Sequence, residues 1–136
     1  MAVALFALFA LGLVATTVLV HVVGLTLLLR WVVARIESGD ADLNFWPRTW
    51  LLVQLVWALL LIHLVAVAIW AAFYRWRAGL PDLETAFYFS GITYTTIGYG
   101  DVLLDPRWRA LAAIEGLAGI VMCSLSAAFF FAVMSK

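Results

Sequence analysis

From Ala2 to Leu29 the chain carries no charged residue, and Trp50 to Tyr74 repeats the pattern. About 20 consecutive apolar residues are enough to cross the hydrocarbon core of a bilayer as a helix. In lipid the backbone polar groups find no water, so a spanning segment must satisfy them internally. Two such runs commit the chain to transmembrane helices. A third, Trp108 to Met134, holds one acid, Glu115, and the cation Arg109 near its start. The 136 residues are 67% hydrophobic and 12% charged, against about 45–50% and about 25% in ordinary globular domains. The chain is read as an integral membrane protein with little soluble mass.

The first run lacks a basic flank and is too long for a signal peptide. It continues into "RWVVARIE", with Arg30, Trp31, Arg35 and Glu37 at headgroup level. "SGDADLNFWP", Ser38–Pro47, is the first polar break, and "RAGLPDLE" is the second. Trp31, Trp46 and Trp50 flank the first break and Trp76 and Trp108 the second, an aromatic belt at the two interfaces. Trp57 and Trp70 fall inside the second run and are expected to pack within the protein.

Several function classes drop out. Eight basic and eight acidic residues cancel, with no basic cluster for nucleic acid. The single cysteine, Cys123, excludes an intramolecular disulfide, and no Cys/His spacing suits zinc. No nucleophile–base pair is visible, so an enzyme is not expected.

Leu83 to Thr95 is too short and too polar to span, yet apolar on one side. Pro81 and Asp82 mark a helix start with Asp82 as N-cap, and Glu84 in the first turn suits the helix dipole. "TIGYG", Thr96–Gly100, follows directly. Non-helical backbone at membrane depth is tolerated only when buried in protein or lining a water-filled path. If its carbonyls all face one axis, alternate residues take backbone angles that a side chain resists, and Gly98 and Gly100 accept them.

"TAFYFSGITYTTIGYGD" followed by an apolar helix resembles the pore domain of potassium channels, close to the two-transmembrane bacterial kind. The resemblance covers roughly Trp50 to the end and leaves the first helix outside. It implies an all-α membrane fold, with three transmembrane helices plus a re-entrant pore helix and selectivity-filter loop, assembled as a homotetramer. Residues 1–37 would form the N-terminal helix and 38–136 the pore domain. Within the latter the outer helix covers about 48–76, the pore helix about 82–95, the filter 96–100 and the inner helix about 107–135. Carbonyls of Thr96, Ile97, Gly98, Tyr99 and Gly100 would replace the water shell of potassium, as carbonyl rings do in potassium channels. Ions would sit at Thr96, Ile97, Gly98 and Tyr99, with Ile97 and Tyr99 side chains turned outward to brace the strand.

The resemblance also implies filter support from Tyr88, which would donate to Asp101, and from Thr95. Ile92 stands where some relatives carry a glutamate. In the inner helix Gly116 and Gly119 fall at the hinge, while Ile120, Cys123, Ala127 and Phe131 would line the cavity and inner mouth. Phe131 is the candidate constriction. The permeant ion is the only small molecule implied, with no cofactor. Partners are potassium, membrane lipid, identical subunits and an unidentified gating partner. The location is a cell membrane, plasma or bacterial inner, crossed several times.

Glu115 is the acid within a predicted span, where ionisable residues usually face protein or water. It is read either as a filter support hydrogen-bonded behind the pore helix or as a structural acid. His21 and His63 sum to 84, so they mirror each other about residue 42 and should lie at similar depth in a hairpin. They are expected as separately satisfied packing residues, with a pH-sensing pair as the alternative, since histidine titrates near neutrality. If the filter faces outward, Arg30, Arg35, Arg48 and Lys136 lie inside and Arg75, Arg77, Arg107 and Arg109 outside. The tie leaves the positive-inside rule silent. No span carries an arginine ladder, so gating is expected from the filter, inner bundle, lipid, pH or a partner. Rival readings are a weakly selective cation channel, a transporter-like potassium subunit and a non-conducting modulatory subunit.

Overall fold

The computed structural model describes residues 3–38 and 45–135. The centre of the first polar break (39–44) and Lys136, one of the cations expected on the inner side, lie outside the described residues. Four helices follow in order: α1 (Val3–Glu37), α2 (Phe45–Arg77), α3 (Leu83–Tyr94) and α4 (Arg109–Met134). All regular structure among the described residues is helical, and α1, α2 and α4 are long and apolar enough to cross a membrane. This is a multi-pass membrane protein.

Local chemistry sets the helix ends. Pro47 sits in the first turn of α2, where its missing N–H has no helical partner to lose. At the other end Gly79 takes a left-handed φ of 76°. That turn lets the Leu80 N–H return to the Tyr74 carbonyl, and Pro81 prevents the helix from resuming. Between α3 and α4 the turn is closed by Asp105. Its carbonyl accepts from the Trp108 N–H at 2.8 Å and its carboxylate from the Arg107 N–H at 2.9 Å. The side-chain hydrogen bond from Arg107 holds the Asp105 carboxyl below its ordinary range.

α3 is wedged between α2 and α4, and α1 packs on the same two long helices from outside. An aromatic core at one end joins Trp70, Phe73, Tyr74, Phe89 and Trp108, with Phe6 and Phe9 of α1 laid against it. Phe73 lies 5.4 Å from Trp108 and 5.3 Å from Phe9, ring centre to ring centre. At the opposite end Leu28 and Val32 of α1 meet Leu55 and Leu59 of α2, with Phe129 and Phe130 of α4 alongside. Gly24 brings the two helices close, since a Cβ there would meet Ile62 Cδ1 at 2.7 Å. The buried Trp70 Nε1–H donates to Thr17 Oγ1 at 2.9 Å, pinning α1 to α2 in mid-span.

Two tryptophan expectations need correction. Trp57 does not pack within the chain: it is 64% exposed on the surface of α2. Trp108 does not stand in the interfacial belt; three aromatic neighbours draw it into the core.

Candidate functional site

α3 begins on Asp82, whose carboxylate accepts from the Thr85 N–H at 2.7 Å and from Thr85 Oγ1 at 3.0 Å. These bonds, the backbone one first, hold the carboxyl below its ordinary range. The helix ends in a tight wrap. The Thr95 N–H and Oγ1 both donate to the Gly91 carbonyl, and the Gly98 N–H reaches back to the Ile92 carbonyl at 3.0 Å.

The segment after α3 alternates in handedness. Thr96, Gly98 and Gly100 have φ of 62°, 52° and 77°, while Ile97 and Tyr99 stay on the ordinary negative side. Alternating left- and right-handed residues rotate successive peptide planes in the same sense, which turns their carbonyls toward one side of a strand. Glycine takes the left-handed region freely, but for threonine it is uncommon and costs about 1–3 kcal/mol. The left-handed Thr96 has no signal in the sequence, because threonine is a poor residue for that region.

The strand is fastened at its far end by Tyr88, whose hydroxyl donates to Asp101 Oδ2 at 2.7 Å. That bond keeps the hydroxyl protonated above the ordinary tyrosine range. Ile97 and Tyr99 are 54% and 72% exposed, so the chain itself supplies little to brace them. An open groove of about 520 Å³ runs along this segment and α4, lined by Thr93, Thr96, Gly98, Gly116, Leu117 and Ile120 among others.

α4 passes the base of α3 at its glycines. A Cβ on Gly119 would overlap the Tyr94 carbonyl oxygen, and one on Gly116 would stand 3.3 Å from the Thr93 carbonyl. α4 continues as one helix through both, and both allow its close approach to α3. Ile120, Cys123, Ala127 and Phe131 are all exposed, on the side of α4 turned away from the other helices.

Comparison with protein-family models matches residues 62–136, more than half the chain, to a family described as "Ion channel". The chain belongs to this ion-channel family. The matched region takes in part of α2 and all of α3, the alternating segment and α4, and leaves α1 outside. Neither the curated proteins nor the solved structures yielded a match.

Behind the segment, the ion channel has two buried polar knots. In the first, Glu115 of α4 accepts from the Tyr74 hydroxyl of α2 at 2.7 Å and from Ser90 of α3 at 2.5 Å, and Ser90 also reaches the Val67 carbonyl at 2.9 Å. Glu115 and Ser90 are fully buried, so the acid ties three helices together. Tyr74 and Ser90 escaped the sequence reading because nothing in the chain order pairs them with Glu115. Ile92 is buried and contributes to the wall of the groove along the segment.

The second knot overturns the expectation that the two histidines are separately satisfied. Their ring centres lie 5.1 Å apart. His63 Nδ1 is 3.0 Å from the Tyr94 hydroxyl and His63 Nε2 is 3.0 Å from Ser126 Oγ. Ser126 Oγ is in turn 3.3 Å from His21 Nε2. The mirror positions hinted at the pair, but Tyr94 and Ser126 carried no sequence signal for joining it.

Proposed function

We propose that the ion channel is potassium-selective and that four copies surround one axis, each contributing Thr96–Gly100 as a filter strand and α3 as its pore helix. The observation that carries this reading is the alternation of handedness at Thr96, Gly98 and Gly100 immediately after a short, capped helix. Four strands of that kind present stacked carbonyl rings that replace a cation's hydration shell. Carbonyls of Thr96, Ile97, Gly98 and Tyr99 bound the ion positions, and the Thr96 hydroxyl closes the innermost one. The C-terminal end of α3 aims its carbonyls toward the cavity, where the helix dipole favours a cation.

The exposed Ile97 and Tyr99 support the fourfold arrangement, since a single chain leaves them without neighbours. Tyr88 and Asp101 tie the outer end of the filter to the pore helix, and Glu115 ties the pore helix to α2 and α4. The side of α4 bearing Ile120, Cys123, Ala127 and Phe131 lines the inner cavity, with Phe131 at its constriction. Ions move passively down their gradient, across a plasma or bacterial inner membrane.

Purified protein in liposomes tests the reading by reversal potential in mixed potassium and sodium. A strong shift toward the potassium potential is expected. A near-zero shift would leave a weakly selective cation channel, and no flux from intact tetramers would make the chain a modulatory subunit.

A further inference from the structure

One side chain from each of the four helices meets in a single buried run: His21 of α1, Ser126 of α4, His63 of α2 and Tyr94 of α3. His21 is completely buried, and its Nδ1 has no hydrogen-bond partner among the described residues. When His21 carries its hydrogen on Nε2, Nδ1 is a bare nitrogen with no bond to lose, and an extra proton there breaks no contact. We propose that this run is a proton-binding site, and that a proton held there weakens conduction by changing how Tyr94 is held at the base of the filter. The proposal rests on the channel reading.

Hydrogen inventory gives the mechanism. With both rings neutral, two orderings fit the distances. In one, Tyr94 donates to His63 Nδ1, His63 Nε2–H donates to Ser126, and Ser126 donates to His21 Nε2. In the other, every donor reverses. With a second hydrogen on its ring both His21 nitrogens are donors, so Nε2–H donates to Ser126, Ser126 to His63 Nε2, and His63 Nδ1–H to Tyr94. The charge therefore selects the ordering in which Tyr94 accepts. His63 is the partner of the Tyr94 hydroxyl among the described residues, so the displaced hydroxyl hydrogen is left without an acceptor. A buried donor without a partner is unfavourable, and its cost falls on the last residue of α3, two positions before Thr96.

The surroundings limit the site to one charge at most. Two charged rings 5.1 Å apart repel, so the pair takes a single proton. From α1 the neighbouring Thr17 hydroxyl is committed to Trp70 and the Leu13 carbonyl. From α2 and α3 only His63 and Tyr94 titrate there. From α4 the ionisable groups near Tyr94 are Cys123 and Glu115, and Glu115 is closed off by Tyr74 and Ser90. No acid pairs with either ring among the described residues.

Potassium flux from liposomes is measured between about pH 8 and pH 5, a window that brackets the value of a free imidazole. The wild type is expected to lose flux several-fold on acidification. His21→Gln and His63→Gln keep hydrogen-bonding side chains but cannot hold the charge, and both are expected to flatten the profile. Tyr94→Phe removes the hydroxyl that reads the charge and should also flatten it, which a purely structural role would not do. A flat wild-type profile, or a drop retained in the double His21→Gln, His63→Gln variant, overturns the proposal. Histidine nitrogen NMR on the full chain in nanodiscs gives a readout independent of flux. One proton per subunit is expected, lost in His21→Gln and kept on His21 in His63→Gln, and two independent titrations or none overturn the site. Absence of flux at every pH overturns the channel reading instead, and the NMR result still decides whether the site exists.

Discussion

Gly119 of α4 lies directly against the carbonyl of Tyr94, with no room between them for a single methyl group. The contact fixes the distance between the inner helix and the last turn of α3. Backbone faces backbone there, so neither side can rotate out of the way.

Gly119→Ala is accordingly expected to be among the most damaging small substitutions in the chain. Overpacking of this kind costs about 1–3 kcal/mol. Gly116→Ala, whose Cβ would stand 3.3 Å from the Thr93 carbonyl, needs only a slight shift and should cost less. Melting temperatures of the two variants in detergent check the order.

Removing the Glu115 carboxyl strands the buried Tyr74 hydroxyl, while Ser90 keeps the Val67 carbonyl as acceptor. Glu115→Leu should destabilise by about 1–3 kcal/mol for the stranded hydroxyl. Glu115→Gln, which keeps a carbonyl acceptor, should fall well short of that, and Tyr74→Phe should cost about 1 kcal/mol. Thermal unfolding of the three variants separates a tie between helices from a dispensable acid.

Tyr88 and Asp101 share one hydrogen bond, so their effects should not add. Tyr88→Phe and Asp101→Asn are each expected to shorten sustained conduction by a few-fold. The double variant should be no worse than either single. Additive losses in flux recordings would show that the two residues act separately.

The Asp82 cap predicts an acid limb. Its folded carboxyl titrates lower than the unfolded one, so its stabilisation is complete above the unfolded value, about 3.9, and is lost as pH falls through the folded value. Asp82→Ala should remove that limb while leaving the histidine-linked range unchanged. Thermal stability measured down to about pH 3 reads it directly.

Cys123 offers a chemical probe of the α4 surface. It is free and exposed, on the same side as Ile120 and Phe131. A charged thiol reagent is expected to block most of the flux in the wild type and none in Cys123→Ser. Equal flux before and after complete labelling would remove that side from the ion path.

How much of this was legible in the chain depends on range. The three spanning helices are written in uncharged runs, because lipid penalises every stranded polar group. The start of α3 is equally local, with Pro81, Asp82 and Thr85 within one turn. The glycines Gly98 and Gly100 pointed to left-handed backbone, but Thr96 joins them for a reason that lies in the wrap closing α3, not in its side chain. The two polar knots were illegible as wholes. Ser126 stands 105 positions from His21, and only packing of α1 on α4 brings them together. Trp57 is exposed and Trp108 buried in the aromatic core, against expectation, because hydropathy does not tell a ring that faces the other helices from one that faces away.

The bond between Trp70 and Thr17 has a consequence for how the chain is made. α1 and α2 emerge first, and that bond needs nothing beyond them. Their hairpin can therefore settle in the bilayer as soon as both helices are inserted, while His21 and His63 wait for Ser126 on the last helix. The native contacts thus divide into an early clasp that the hairpin can close alone and a late one that requires α4.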